Sequence, residues 1–170
     1  VEHFQDSAGD HQLMVHSVFG GRVNAGLSVL VQETARRATG MDVHCFDDDD
    51  GFLVFPFGGS RPMPEGLLFQ IPPDRARGLL EAMLPATPLF NMAFRYNAGR
   101  ALMMGIRKGR RQPLWIQRLR GAQVLDEAVL QKNHPLLQET KRECLEDYWD
   151  LPALEQVLSE IQSGAITVRE

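Results

Sequence analysis

Strand-like and helix-like patterns are segregated along this chain. Short apolar runs bounded by turn residues fall mainly within the first 71 residues, and stretches of helical period dominate the rest. A parallel βαβ sheet would interleave the two. The segregation instead predicts an α+β fold, with a small, mostly antiparallel sheet from the first half packed with several helices from the second half.

In chain order, residues 1–11 are polar and rich in turn formers, and we expect a frayed lead-in. Gln12–Phe19 reads as a strand with Leu13, Val15 and Ser17 on one face. Gly20-Gly21 breaks it. A helix is predicted over Arg22–Thr39, with Val23, Leu27, Leu30, Val31, Thr34 and Ala38 on one stripe and Gly40 as its stop. Asp42–Phe46 and Phe52–Phe57 flank Asp47-Asp48-Asp49-Asp50-Gly51, an Asp-Gly hairpin signal. The spacing and terminal glutamate of a calcium loop are missing, so the aspartates read as a solvated turn. Gly58–Glu65 reads as a loop and Leu67–Ile71 as a further strand. A helix follows from Pro72-Pro73 to Leu84.

Pro88–Met104 is predicted as a helix whose apolar face holds Phe90, Ala93, Phe94, Asn97, Ala101 and Met104. An asparagine on that stripe needs partners, and we expect it to tie down a loop. Gly105–Gln112 reads as a basic loop. The next helix starts at Pro113, with Trp115, Leu119, Ala122, Leu125 and Val129 inward, Arg118 within that stripe and Arg120 outside it. Pro135–Tyr148 and a last helix capped by Asp150 follow, the latter burying Leu151, Leu154, Leu158 and Ile161. Ala165–Arg169 is β-prone and is expected to add to the sheet. We read residues 1–170 as a single accessory domain. The chain opens on Val1 as interior sequence, so we expect a piece of a longer polypeptide.

Charge is as segregated as periodicity. Ala82–Leu125 contains no Asp or Glu and holds eight of the chain's 18 Lys and Arg. The remaining 10 stand against all 22 Asp and Glu, so a +8 block sits in a chain of net charge −4. Such a block is stabilised by opposite charge. The partner is either a polyanion, first among them a nucleic-acid backbone, or the chain's own acidic segments.

Other chemistries find little support. A nucleophile elbow needs GxSxG, which His16-Ser17 before Gly20-Gly21 does not supply. His3, His11, His16, His44 and His134 lack metal-ligand spacing, and no P-loop is present. Gly20-Gly21-Arg22 could offer helix N–H groups to an anion, or be a tight turn with a surface arginine. Cys45 and Cys144 read as small buried hydrophobes in a reducing, cytoplasmic setting. No apolar run approaches the ~20 residues of a membrane span. We expect neither a catalytic residue nor a metal in this piece. The nucleic-acid reading is better placed: Arg107, Lys108, Arg110 and Arg111 lie on a glycine-flanked loop, and Trp115 follows closely as either a stacking platform or a core residue.

Four ordered blocks carry a family resemblance: HSVFGGRVN (His16–Asn24), FRYNAGRALM (Phe94–Met103), PLWIQRLRGAQVL (Pro113–Leu125) and ETKRECLEDYWDLPAL (Glu139–Leu154). Together they resemble the DEAD/H-associated domain that follows the motor in large Lhr-type superfamily 2 helicases, over about Leu13–Val168. The resemblance implies an ATP-dependent DNA helicase or translocase as parent, linked to DNA repair. Two RecA-like motor domains and a winged helix would precede this piece, with ATP and Mg handled in the motor and no cofactor here. It implies single-stranded DNA as partner, or an RNA–DNA hybrid, enclosed between motor and domain. On that basis we expect Arg95, Arg100, Arg107, Lys108, Arg110, Arg111, Trp115 and Arg118 to meet nucleic acid, and Arg22, Asn24 and Arg120 to meet neighbouring domains. The alternative is a structural docking domain that packs on the motor without binding nucleic acid.

Overall fold

The computed structural model describes residues 1–56, 61–104, 113–131 and 133–170. The chain divides into two compact units, 1–80 with 149–170 and 81–148, and each is described by itself. The fold is α+β, with the sheet in the first unit and six α-helices among the described residues, four of them beginning after residue 87.

The aspartate-rich tip organises the first unit. Asp49-Asp50 joins β3 (Val43–Asp48) to β4 (Gly51–Pro56) as a two-residue hairpin, as the Asp-Gly signal predicts. Gly51 is required there. Its φ is +155°, and a Cβ would come within 2.1 Å of the Val15 carbonyl oxygen on β2 (His11–His16). The four strands pair antiparallel in the order β1-β2-β4-β3.

The lead-in departs from expectation. Glu2–Gln5 forms β1, an edge strand paired with β2. All four of its residues are exposed, so it buries no alternating face that a sequence pattern could register. The Asp6 carboxylate closes the connecting turn by accepting from the Ala8 and Asp10 N–H groups and from Gln12 Nε2. These bonds, chiefly the one from Asp10, hold its pKa below the usual carboxylate value.

Helix α1 (Gly21–Thr39) covers one face of the sheet. It buries Val23, Leu27, Leu30, Val31 and Ala35 against Leu13, Val15, Val43, Phe52 and Val54. Ala35 takes the position expected for Ala38, which is exposed. Gly40 ends the helix in the left-handed conformation.

The junction between β2 and α1 is a polar knot. Ser17 Oγ donates to Asn24 Oδ1 at 2.6 Å. Asn24 Nδ2 donates to the carbonyls of Asp48 (2.9 Å), Asp49 (3.2 Å) and Ser17 (3.3 Å). The Gly21 N–H donates to Asp49 Oδ1 at 3.1 Å.

Leu67–Ile71 is not a strand. It contains a 3-10 turn, Leu68–Gln70, with Leu67, Leu68 and Ile71 buried and Phe69 and Gln70 exposed. That spacing is helical rather than alternating. Helix α6 (Leu151–Ser163) returns to this unit, capped as expected by Asp150, which accepts from the Ala153 N–H. Leu151, Leu154, Val157, Leu158 and Ile161 are its buried face, and Gly164 its stop. The tail 165–169 forms no strand. The Ile166 N–H bonds back to Glu160, which folds the chain onto its own helix end.

The second unit holds α3 (Pro88–Arg100), α4 (Leu114–Val129) and α5 (Pro135–Glu143), the last followed by a single π turn at Cys144–Tyr148. The preceding α2 (Pro73–Met83) crosses the boundary between units. Buried Asn97 is satisfied, but by α5 rather than by a loop. Its amide donates to Glu143 Oε2 at 2.5 Å and Thr140 Oγ1 at 3.3 Å. Phe94, Ala98 and Ala128 are the buried centre of a cluster joined by Val124, Leu125, Leu136 and Leu137.

No helix among the described residues is long and apolar enough to cross a membrane. Cys45 Sγ donates to the Ser28 carbonyl, and Cys144 is buried. Burial, with carboxylates at Asp47 and Glu143 respectively, pushes both thiols up to about 12.

Two outcomes follow. Asn24→Ala strands Ser17 and two turn carbonyls, and should cost the first unit about 2 kcal/mol. A urea midpoint within error of the parent would show that the knot is not structural. At pH 8 only about one thiol in ten thousand at either site is ionised. Both should therefore resist iodoacetamide in the native chain and react quickly in urea.

Candidate nucleic-acid interface

The acid-free stretch folds into two helices that meet at a glycine. Thr87 caps α3 by accepting from the Phe90 N–H, with Pro88 in the first turn. Against its flank lies α4. A Cβ added at Gly121 would meet Arg95 Cγ at 3.1 Å and Cβ at 3.3 Å, so the bare glycine lets α4 rest on the aliphatic stem of Arg95.

This contact sets the rotation of α4, and it differs from the predicted one. Gly121 and Ala128 are the buried residues, with Val124, Leu125 and Arg120 half-buried beside them. Trp115 (66% exposed), Leu119 (55%) and Val129 (64%) face solvent. Trp115 is therefore not a core residue of this unit. The two arginines change places as well. Arg118, expected inside the stripe, is exposed, while Arg120 is half-buried and donates to the Met104 carbonyl at 3.2 Å. A glycine and an alanine carry no weight in an apolar stripe, so the larger side chains point to the wrong face.

Between the helices runs an open groove of about 620 Å³. Phe94, Leu125, Ala122, Met92, Leu89 and Pro88 supply its apolar lining, Asn91 adds an amide, and Arg95 of α3 and Arg118 of α4 add two cations. Among the described residues neither arginine has a carboxylate within 4 Å. The chain's own acidic groups therefore do not neutralise them in this unit. Trp115, Arg118 and Ala122 follow at i, i+3 and i+7 along α4, on the flank that borders the groove.

The remaining candidates lie elsewhere. Arg100 sits five residues beyond Arg95, around the helix from the groove, with its guanidinium 5.6 Å from the Tyr96 ring centroid. Tyr96, itself 61% exposed, was not singled out by sequence, although it directly precedes the buried Asn97. Arg100 is near enough to help Arg142 hold Glu139 below the usual carboxylate value, the Arg142 hydrogen bond being the main cause. Arg142 also pairs with Glu146 and Asp147, so the α5 side is a mixed-charge surface. Arg107, Lys108, Arg110 and Arg111 lie outside the described residues.

In the first unit, Arg22 pairs with Asp150 at 3.8 Å and Asn24 is fully buried in the junction. The helix N-terminus at Gly20-Gly21-Arg22 already receives an anion, the Asp49 carboxylate of the hairpin turn. Ser17, the one hydroxyl weighed as a nucleophile, is buried and bonded to Asn24. His16 is exposed beside Glu2 at 3.3 Å. No three His, Cys, Asp or Glu among the described residues gather as a metal site.

This arrangement can be set beside known proteins. The family described as DEAD/H associated matches residues 1–170. The chain is 33% identical to the Lhr helicase/uracil glycosylase of Escherichia coli over its whole length, which is 11% of that protein. It is 31% identical, again over its whole length, to the ATP-dependent helicase Lhr-Core of Methanothermobacter thermautotrophicus, of which it spans 20%. The solved structure of Mycobacterium smegmatis helicase Lhr bound to ssDNA and AMP-PNP superposes with a TM-score of 0.82 at 34% identity, covering 96% of this chain and 21% of that one. The chain thus spans between a tenth and a fifth of these relatives. Because the match runs from the first residue to the last, and likeness of sequence and of fold agree, the chain belongs to the DEAD/H-associated family found in Lhr-type helicases.

Proposed function

We propose that this domain is a nucleic-acid-binding accessory module of an ATP-dependent DNA helicase or translocase, placed after the motor, with single-stranded DNA as its partner. One observation carries the reading: Arg95 and Arg118 line one apolar groove with no carboxylate within 4 Å among the described residues, and Trp115 on the same helix as Arg118 faces solvent. Single-strand binders combine cations that track phosphates with rings that stack bases, and the acid-free stretch Ala82–Leu125 supplies both. The Lhr relative solved with ssDNA supports the choice of strand. In this reading the domain itself catalyses nothing. ATP and Mg are handled by two RecA-like motor domains that, with a winged helix, precede this domain in the same polypeptide, and the parent works in cytoplasmic DNA repair. An RNA–DNA hybrid is a second substrate for the same groove.

A second reading rests on a separate observation. Leu114, Leu119, Val129 and Leu130 are all more than half exposed on or just after α4. Apolar side chains so arranged favour a docking surface for the motor rather than a strand.

The two readings separate in one experiment on the full-length helicase. Binding of labelled single-stranded DNA is followed by anisotropy across a salt series. Arg95→Ala with Arg118→Ala should lower the slope of log K against log salt by about 1.4, at roughly 0.7 per phosphate contact. Trp115→Ala should weaken binding by about 1–3 kcal/mol and leave the slope alone. A double-arginine variant with the parent slope would favour docking.

A further inference from the structure

The sheet has two faces, and α1 covers one of them. The other carries a stack of three rings on β3 and β4. Phe46 and Phe55 lie 5.5 Å apart at 18°, and His44 and Phe55 lie 5.8 Å apart at 29°. Phe46 is 71% exposed. Cross-strand pairing extends this surface, because Phe46 is opposite Leu53, Leu53 opposite Met14, and Met14 opposite Glu2. Residues directly opposite share a face, so an apolar row crosses the sheet from β3 to β2 and ends in a carboxylate on β1.

We infer that this open face is a docking surface for a second protein layer with an apolar centre and a Lys/Arg rim, supplied by another part of the same polypeptide. Charge selects the occupant. Residues 1–21 and 40–60, which hold all four strands, contain eight Asp and Glu and not one Lys or Arg. Aromatic sheets that stack nucleobases set their rings among cations. Here the rings lie among carboxylates, which repel a phosphate backbone and attract cationic side chains. Two of those carboxylates mark opposite edges of the face. Glu2, on β1, lies beside His16, and Asp42, just before β3, lies beside His44. Both are strongly exposed. The polypeptide to supply the layer is at hand, since roughly four fifths or more of each relative lies outside the matched stretch. A sheet face with an apolar centre ordinarily buries it against another layer. This inference does not rest on the groove between α3 and α4.

The test replaces Phe46 with the photo-cross-linker p-benzoylphenylalanine in the full-length protein, irradiated without DNA. Because the side chain is exposed, the replacement leaves the fold of the unit intact. The expected result is an intramolecular cross-link to a segment outside this domain, with a yield independent of protein concentration. A yield that rises with concentration would assign the face to a second copy. Absence of a cross-link, or one that appears only in a parallel sample with single-stranded DNA added and runs to that DNA, would likewise overturn the proposal. In the same background, Glu2→Lys with Asp42→Lys should cut the cross-link yield several-fold. An unchanged yield would overturn the basic rim.

Discussion

The first unit depends on one contact, the seating of the β3–β4 turn on the first turn of α1. A helix begins with N–H groups that lack partners. Here Asp49 reaches one of them with its carboxylate, and Asn24, inside the helix, reaches back to the carbonyls of Asp48 and Asp49. Turn and helix therefore satisfy each other in both directions. Ser17 adds the end of β2, through its hydroxyl to Asn24 and its N–H to the Asp50 carbonyl. The Ser17 hydroxyl and both ends of the Asn24 amide are bonded, and burying them would otherwise be costly. The apolar packing of α1 on the sheet follows from this placement, because the junction fixes where the helix starts and which residues it turns inward.

The second unit is organised by a gap rather than a bond. Gly121 removes one side chain from α4, and the stem of Arg95 occupies the space. Two consequences matter for function. Arg95, half-buried with its stem against Gly121, lines the groove. The rotation that lets Gly121 face α3 also turns Trp115 and Arg118 outward. A side chain at 121 would press on that stem, which would have to give by a few tenths of an ångström.

These two arrangements show what the sequence discloses and what it conceals. The hairpin, the limits of α1, its Gly40 stop and the Asp150 cap were all legible, because each is a local event between residues close in sequence. The long helices of the second half were legible by period. The rotation of α4 was not. Stripe reading weighs large apolar side chains, and the buried face of α4 is set by small ones. The edge strand β1 escaped for a related reason, since it buries nothing and is held by backbone pairing. Leu67–Ile71 is a short apolar run, for which period cannot separate strand from turn. The basic stretch was visible as composition. Which of its arginines meet across a groove was not, because that depends on Gly121 and on a distance between helices.

Charge then distinguishes the surfaces of the two units. The sheet is built from strands without a single Lys or Arg, and the α3–α4 pair carries no Asp or Glu until Asp126 and Glu127 in the last turn of α4. Sequence of ordinary composition would mix the signs on both. Each surface so made attracts one class of partner and repels the other, since potentials of one sign add over a surface. On the proposed reading a polyanion goes to the helix pair and not to the sheet, so that the aromatic stack on the sheet is assigned to protein and Trp115 to the strand. Ring side chains alone would not distinguish the two surfaces; the charges around them do.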